Sequence, residues 1–301
     1  MKSNVLKGAF LVGLGATSYG MLATFVKLAY QEGFTTAEVT ISQFTIGIIG
    51  LLLLQFFQKS STENSTPKVT KKERIHLILA GTTLGMTSVF YYLAVKYIPV
   101  SIAIVLLMQT VWMGVILEMI MERKLPSIKK IISVCIVIIG TLLATNLTNT
   151  TNSLNWQGLF WGFLAASSFT ATMVTANRVA VRISSVQRSF FMLLGGAIIV
   201  VFFAIITQKT SFNFAIFIKW GIPLSLFGTI LPPILMNAGF PSTGIGLGSI
   251  ISALELPVSV AMAYFLLHEE VLTIQWIGIL LIIAAIVLMH LNYKHKSKIK
   301  E

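Results

Sequence analysis

One carboxylate, Glu255, lies in the middle of a long apolar stretch and is the strongest candidate for chemistry in the sequence. It lies nine residues after Gly246, where that stretch begins, or about 13 Å along a helix at ~1.5 Å per residue. A carboxyl in such surroundings can bind a cationic or amino group, or take up and release a proton. It can equally be structural, either hydrogen-bonded across helices or bonded to backbone groups that Pro257 leaves free. The sequence leaves both interpretations open.

A neutral amide, Gln109, lies at a comparable depth in a second apolar stretch. Trp112 follows it by three residues, and residues at that spacing share one face of a helix. We therefore expect Gln109 to contact a bound solute, and the ring of Trp112 to wall the same cavity and pack on a cation. The alternative for Trp112 is ordinary packing against lipid or protein.

Tyrosine side chains form a third group of candidates. Tyr91 and Tyr92 lie in the middle of another apolar stretch, where a buried phenol needs a hydrogen-bond partner and so points toward the protein interior. Tyr19 and Lys27 are eight residues apart and share one helix face, so both can line the same path. Lys27, near the end of its stretch, can instead extend its ammonium group to the membrane surface.

Prolines and glycines predict where helices bend or pack closely. Pro232-Pro233 interrupts an apolar stretch and should kink it. Because a kink frees backbone carbonyls, the nearby amide of Asn237 becomes a candidate ligand for a solute. Gly244 and Gly248, four residues apart, predict close helix packing or a hinge. Pro257 is a further candidate for a hinge or packing position.

Neither a metal centre nor a catalytic constellation is recognisable in the sequence. Cys135 is the only cysteine, so neither an internal disulfide nor a cysteine-based metal site can form. The four histidines lie near the ends of apolar stretches, without the spacing of metal ligands. The glycines at 244, 246 and 248 resemble a nucleotide-binding loop, but no strand precedes them. We therefore expect no metal, no cofactor and no enzymatic activity.

Composition identifies the surroundings of these candidate residues. The chain has 301 residues, of which 55% are hydrophobic and only 11% are charged, with a mean hydropathy of +0.86. A soluble domain carries about 25% charged residues, so an ordinary soluble enzyme and a disordered chain are both excluded. The net charge of +12 resides in short clusters between apolar runs, which is not the basic face that a nucleic-acid-binding protein presents.

Ten stretches are long and apolar enough to cross the hydrocarbon core, which takes about 20 residues. We expect transmembrane helices over 8–28, 38–57, 75–95, 100–121, 129–146, 157–177, 189–207, 219–239, 246–267 and 273–292. Lys2 and Lys7 precede the first stretch, as in a signal peptide, but no clear cleavage site ends it. We therefore expect the first stretch to be retained as a helix.

The basic residues predict the orientation. With a cytoplasmic N-terminus, all 22 lysines and arginines except Lys27, Lys96, Lys209 and Lys219 fall at cytoplasmic ends. Cytoplasmic segments of membrane proteins are typically enriched in lysine and arginine. The sequence therefore predicts that both termini are cytoplasmic and that the number of spans is even.

The two halves of the chain resemble each other weakly. Met108–Lys124 and Glu255–Val271 each start at a polar or acidic position and continue as an apolar stretch that ends in acidic residues. Pairing Glu122 with Glu269 gives an offset of 147 residues. The predicted units are a first repeat over 1–148, a second repeat over 149–293 and a basic cytoplasmic tail over 294–301. Because each repeat would contain an odd number of spans, the second would be inverted relative to the first, as in many secondary transporters.

Three short motifs recur in the order and spacing of a known family. Tyr91–Ser101 is similar to the end of that family's third helix and the start of its fourth, Glu255–Pro257 to its ninth, and Gln275–Gly278 to the start of its tenth. The chain thus resembles the ten-span EamA family of the drug/metabolite transporter superfamily. Many members carry an arginine before a phenylalanine in the second helix, where this chain has Gln43-Phe44. If that arginine binds an anionic group in relatives, this chain lacks the contact, and Gln43 becomes a candidate for solute binding.

These features together predict an all-α membrane protein with ten transmembrane helices in two inverted five-helix repeats, located in the plasma or inner membrane. The expected function is to carry a small organic solute across the bilayer by alternating access. The resemblance implies a metabolite, an amino acid or a drug-like molecule, with export favoured over import. Coupling is left open between proton exchange at Glu255 and facilitated diffusion, and the oligomeric state between monomer and homodimer.

Two rival functions come from other classes. A membrane-embedded enzyme would need a catalytic cluster, and the sequence offers none. A structural or sensory membrane protein would need no polar groups at mid-depth, where Glu255 and Gln109 are expected. A channel is disfavoured because inverted repeats are typical of carriers.

Overall fold

The computed structural model describes residues 2–61, 69–98, 100–145, 155–268 and 270–295. Within these ranges the ordered elements are helices, and no strand occurs in them. The α-helices are α1 (Lys2–Gln31), α2 (Thr36–Ser61), α3 (Lys71–Tyr97), α4 (Val100–Leu107), α5 (Thr110–Glu122), α6 (Ile128–Ala144), α7 (Trp156–Arg178), α8 (Ser185–Thr207), α9 (Ala215–Lys219), α10 (Gly221–Ser225), α11 (Leu231–Thr243), α12 (Ile245–Ser252), α13 (Glu255–Leu266) and α14 (Thr273–His295). A π-helical turn, Leu226–Ile230, joins α10 to α11.

Eight helical stretches in the described ranges are long and apolar enough to cross a bilayer. They are Asn4–Gln31, Thr36–Phe57, Lys71–Tyr97, Ile102–Glu122, Trp156–Arg178, Ser185–Thr207, Gly221–Thr243 and Ile245–Leu266. The fifth and tenth predicted spans coincide with α6 and α14, which pack against each other. The all-helical, multi-pass membrane fold is confirmed, and the count of ten spans stays a prediction.

The outer surface of the bundle is apolar. Phe56, Ile205 and Leu280 are 73%, 75% and 64% exposed, and many other large apolar side chains are exposed with them. A surface of this kind would be unfavourable in water but suits contact with acyl chains. Membrane insertion therefore explains why so much hydrophobic area remains outside the core.

Two of the eight stretches are interrupted at equivalent places. Ile102–Glu122 breaks at Met108–Gln109, between α4 and α5, and Ile245–Leu266 breaks at Ala253–Leu254, between α12 and α13. The two breaks lie 145 residues apart. Arg123 and His268, which adopt left-handed conformations with φ of 52° and 53°, are also 145 residues apart. The starts of α6 and α14 repeat at the same spacing.

This spacing corrects the offset of 147 residues inferred from the acidic residues. An offset of 145 pairs Glu122 with Leu267 rather than with Glu269, which lies outside the described residues. The repeat is carried by backbone geometry, while the acidic residues at the ends of the two stretches do not align.

Equivalent helices of the two repeats run in opposite directions. Glu118, near the end of α5, contacts Gly246 at the start of α12. One turn earlier on α5, Gly114 packs on Ser249, which is further along α12. Contacts that move backward on one helix and forward on the other mean that the helices are antiparallel. Since α4–α5 and α12–α13 are the repeat equivalents, the second repeat is inverted relative to the first.

The two consecutive prolines follow a π-helical turn within one continuous helical stretch, Gly221–Thr243. Pro232 and Pro233 occupy the first turn of α11, directly after the π-helical turn. The N–H of Leu231 bonds to the carbonyl of Leu226, five residues back. Because proline has no N–H, the carbonyls four residues before each proline, those of Gly228 and Thr229, lose their helical donor. The predicted freeing of backbone carbonyls near the prolines therefore takes the form of a π-turn, and the predicted kink stays a prediction.

Candidate functional site

A cavity of about 370 Å³ lies between the two repeats. It is lined by α1, α2, α3, α4, α13 and the π-turn, together with the end of α6 and the start of α14. Its lining extends from Glu255, at mid-depth, to Tyr30, Thr145 and Gln275, at one end of the bundle. We call that end the open face. The opposite end, where Gly8 meets Gly239 and Ser242, is the closed face.

Glu255 lies at the inner end of the cavity. It is ten residues after Ile245 and eleven before Leu266, and so at the middle of its membrane-spanning stretch. One carboxylate oxygen, Oε2, is buried and has no hydrogen-bond partner in the described part of the chain. The carboxyl is close enough to Tyr19 and Tyr91 to act on both phenols electrostatically. A few polar groups in the wall of a largely apolar cavity are the usual arrangement of a small-molecule site.

The break before α13 leaves Glu255 without a capping role. The backbone N–H groups of Leu256 and Val258 bond to the carbonyls of Ala253 and Leu254, at 3.2 and 3.3 Å. Pro257 has no N–H, and the Ala253 carbonyl that it would leave free is taken by Leu256. The structure therefore removes one structural explanation that the sequence allowed, namely that Glu255 satisfies backbone groups freed by Pro257.

Aromatic rings form much of the wall of the cavity. Tyr19 meets Phe169 edge to face, with ring centroids 6.0 Å apart. Nearer the open face, the ring of Tyr92 lies 6.0 Å from that of Tyr91 and 6.3 Å from that of Tyr30. The rings therefore follow the cavity from Glu255 outward, and they present both apolar area and phenol oxygens.

Gln43 packs directly against the π-turn at the cavity wall. Its side-chain Nε2 would lie 2.2 Å from a Cβ on Gly228, so only glycine fits at that position. The hydroxyl of Thr229 donates to the backbone carbonyl of Gln43 at 3.0 Å. The amide oxygen of Gln43 is buried and has no hydrogen-bond partner among the described residues. Gln43 thus joins α2 to the π-turn and offers an unused acceptor at the cavity wall.

Five of the eight side chains predicted to bind a solute line this cavity. They are Glu255, Tyr19, Tyr91, Tyr92 and Gln43. Lys27 also lines it, and the residues that the sequence did not single out include Phe169 on α7, Ser259 on α13 and Thr229 in the π-turn. The hydrophobic periodicity of the sequence could not single out these three residues, because a transmembrane helix is apolar on every side.

The other three predicted binding residues lie elsewhere. Gln109 and Trp112 satisfy each other: the indole Nε1 of Trp112 donates to Gln109 Oε1 at 2.7 Å, and Gln109 Nε2 donates to the Val105 carbonyl at 2.9 Å. Asn237 is 2% exposed and donates to Ser189 Oγ at 2.9 Å. None of the three is among the residues that line this cavity, so a role for them in solute binding stays a prediction.

Comparisons with known proteins agree with this architecture. The profile of the EamA-like transporter family matches residues 6–146 and again residues 156–291. The chain belongs to the EamA-like transporter family. No curated protein sequence matches the chain. A solved crystal structure of a protein is similar to it, with a TM-score of 0.77, 14% sequence identity, and coverage of 95% of this chain and 99% of the other. At that identity the likeness shows the fold alone.

The closed face of this EamA-family protein is held by a carboxylate. Glu118 on α5 accepts a hydrogen bond from the backbone N–H of Gly246, at 3.1 Å, and also pairs with Lys130 on α6. A carboxylate at the first turn of a helix satisfies a free N–H and interacts favourably with the helix dipole. Gly244 makes this approach possible, because its φ of 77° favours glycine and a Cβ there would lie 2.7 Å from Glu118 Oε1.

Gly248 serves packing rather than a turn. It lies inside α12, and a Cβ there would lie 2.3 Å from the ring of Phe240. The predicted close packing at this glycine is therefore observed, and a hinge role for Gly244 or Gly248 stays a prediction.

One functional-looking residue escaped the sequence analysis. Arg188 was counted among the basic residues of a cytoplasmic loop, yet it lies in the first turn of α8 and is 1% exposed. Its guanidinium donates to the carbonyls of Thr175 and Ala176, at the end of α7, and to the Asn237 carbonyl at 2.6 Å. Arg188 therefore connects α8 to α7 and α11 through hydrogen bonds. It directly precedes the predicted span over 189–207, so the sequence alone gave no sign that it is buried.

Ion pairs and carboxylate bonds also fix the open face. Lys219 donates to Glu32 at 2.9 Å, and this bond holds the pKa of the Glu32 carboxyl below its ordinary value. Glu38, at the start of α2, accepts from the backbone N–H groups of Thr35 and Asn213, both at 2.7 Å. The segment between α8 and α10 is thus fastened to the first repeat beside the cavity mouth.

Proposed function

We propose that this EamA-family protein is a secondary carrier that moves a small organic solute across the membrane by alternating access. The observation that supports this most directly is the single-sided cavity. It reaches Glu255 at mid-depth from the open face, while the closed face is sealed by the contacts of Glu118, Gly8 and Gly239. A site that is open to one side and blocked on the other is one of the two end states of an alternating-access cycle.

The inverted repeat supplies the second end state. Each repeat contributes one interrupted helix, α4–α5 or α12–α13, and these run in opposite directions. Exchanging the conformations of two inverted repeats closes the open face and opens the closed face around the same central site. The cavity volume of about 370 Å³ lies at the lower end of the range for small-molecule sites.

In this proposal, the distribution of basic residues determines how the protein is oriented in the membrane. With both termini cytoplasmic in a plasma or inner membrane, the closed face is cytoplasmic and the open face is external. The structure is then the outward-facing state. We assign no cofactor and no enzymatic activity to the protein, and the described residues contain no cluster of three or more potential metal ligands.

Counterflow in proteoliposomes tests this proposal. Purified protein is reconstituted with an unlabelled amine or amino acid inside, and uptake of the same labelled compound is measured for a panel of such compounds. A carrier shows saturable uptake and transient accumulation of the labelled compound. Flux that never saturates, with no counterflow for any compound that binds, would identify a channel instead.

A further inference from the structure

We propose that the solute is an organic cation with an apolar, aromatic-sized body, and that its charged nitrogen binds the carboxylate of Glu255. This inference rests on the carrier function proposed above and names the class of solute. Its basis is the combination of an unpartnered carboxylate oxygen, a wall of aromatic rings and the balance of charges along one cavity.

The first argument is that Glu255 has no protein partner that explains it. Its Oε2 is buried and unbonded within the described residues, and the nearby helical N–H groups already bond to backbone carbonyls. Leaving a buried carboxylate uncompensated is costly, because the lost hydration is not replaced. A cationic ligand that donates hydrogen bonds replaces it, and the unused amide oxygen of Gln43 offers a second acceptor in the same cavity.

The second argument is the charge along the cavity. The described lining contains the carboxylates of Glu255 and Glu270 and one ammonium group, that of Lys27. A Cβ on Gly20 would touch the backbone carbonyl of Glu255, so Glu255 lies level with Gly20 on α1. Lys27 is seven residues further toward the open face, or about 10 Å along the helix axis. At the inner end of the cavity, therefore, the ionisable group is an acidic one, and the neighbouring titratable groups are the phenols of Tyr19 and Tyr91.

The third argument is the shape and polarity of the wall. Tyr19, Tyr91, Phe44 and Phe169 are among the residues that line the inner part of the cavity. Aromatic faces attract cations and also pack against flat apolar groups. A volume of about 370 Å³ lies at the lower end of the range for small-molecule sites, which suits a compact amine with one ring.

Three probe compounds that share a phenyl scaffold but differ in charge test which charge on the solute the site prefers. They are 2-phenylethylammonium, a cation, phenylalanine, a zwitterion, and 3-phenylpropionate, an anion. Binding to the purified, detergent-solubilised full chain is measured by isothermal titration calorimetry at neutral pH. We expect the cation to bind at least tenfold more tightly than the zwitterion or the anion.

Matched variants assign that preference to Glu255. Glu255→Gln should weaken binding of the cation at least tenfold, while Glu122→Gln, a carboxylate exposed at the closed face in the other repeat, should leave it unchanged. Lys27→Met should not weaken binding of the cation. Equal binding of the three probes, unchanged binding in Glu255→Gln, or failure of the cation to bind at millimolar concentration in folded protein would each overturn the inference. Tight binding of the zwitterion that Lys27→Met removes would overturn it in favour of an amino-acid carrier.

Failure of this inference differs from failure of the carrier proposal. Counterflow of an anion or a neutral solute, with no binding of the cation, would leave the carrier intact and reject the cation. Binding of the cation that depends on Glu255, with no counterflow, would leave the cation site intact and reject the carrier.

Discussion

Glu118 on α5 accepts a hydrogen bond from the backbone N–H of Gly246 on α12, and so joins the two repeats at the closed face. At the repeat offset of 145 residues, the position equivalent to Glu118 is Ala263, which lines the cavity toward the open face. A methyl group cannot accept a hydrogen bond. The two faces therefore differ chemically at equivalent positions: one is latched by a carboxylate, and the other is not.

Removing the latch should favour opening of the closed face. Glu118→Ala deletes one hydrogen bond to a helix N–H, worth about 1 kcal/mol, or about a fivefold change in an equilibrium. In a Cys135→Ser background, a cysteine placed at the buried Ser249 reports opening by its reaction with a membrane-impermeant thiol reagent. We expect its labelling rate to rise about fivefold in Glu118→Ala. Glu122→Ala, which removes an exposed carboxylate at the same end of α5, is the control, and equal rates in the two variants would show that Glu118 does not hold this face closed.

Glu255 should make solute binding depend on pH. Its carboxylate attracts a cation, whereas the protonated carboxyl is neutral, so a proton and a cationic solute compete for the same group. Affinity of the wild-type protein for 2-phenylethylammonium should therefore fall as the pH is lowered and Glu255 becomes protonated. Glu255→Gln should bind more weakly and show a flat profile over the same range, with no loss of folded protein. Parallel pH profiles for the two proteins would remove Glu255 from any coupling to protons.

Arg188 should contribute far more to stability than an exposed arginine close to it in sequence. Arg188→Ala leaves buried carbonyls of α7 and α11 without their donor, at a cost of about 1–3 kcal/mol for each unsatisfied group. Arg182 forms an ion pair with Glu73, but its side chain is 47% exposed. Arg182→Ala should therefore cost less than about 1 kcal/mol. Thermal unfolding in detergent measures both, and similar losses from the two variants would contradict the assigned role of Arg188.

The sequence predicted the main part of the site because of its chemistry. Glu255 stands out as an ionisable group in a long apolar stretch, and such groups are costly unless they face the protein interior. The same reasoning placed Tyr91 and Tyr92 correctly, since a phenol at mid-depth seeks polar surroundings. These residues line one cavity, although the sequence alone could not show that they belong to the same cavity.

The predicted residues that lie outside this cavity are polar groups with hydrogen-bond partners close by. Gln109 lies at the break between α4 and α5, where its amide bonds to Val105 and Trp112. Asn237 donates to Ser189 on a neighbouring helix. Residue type and depth are the same for a binding amide and a packing amide, so only the neighbouring helices decide between the two roles. The π-turn before Pro232 depends in the same way on the helices around it.

The offset between the repeats was also only partly readable from the sequence. Acidic residues at the ends of two stretches suggested 147 residues, whereas the helix breaks and the left-handed residues Arg123 and His268 give 145. Equivalent positions of two inverted repeats need not carry the same side chain, because the side chains at the two positions face different neighbours. Backbone breaks recur because both repeats must open a helix at the same depth.

Two-sided accessibility of the cavity tests the account most directly. In the Cys135→Ser background, cysteines are placed singly at Ser259, between Glu255 and the open face, and at Ser249, behind the closed face. Each is labelled from one side of sealed, oriented vesicles, with and without 2-phenylethylammonium. The account predicts that the cysteine at 259 reacts only from the external side, that the one at 249 reacts only from the cytoplasmic side, and that the solute changes the two rates in opposite directions. Reaction of the cysteine at 259 from both sides at once, or solute that raises both rates together, would contradict alternating access.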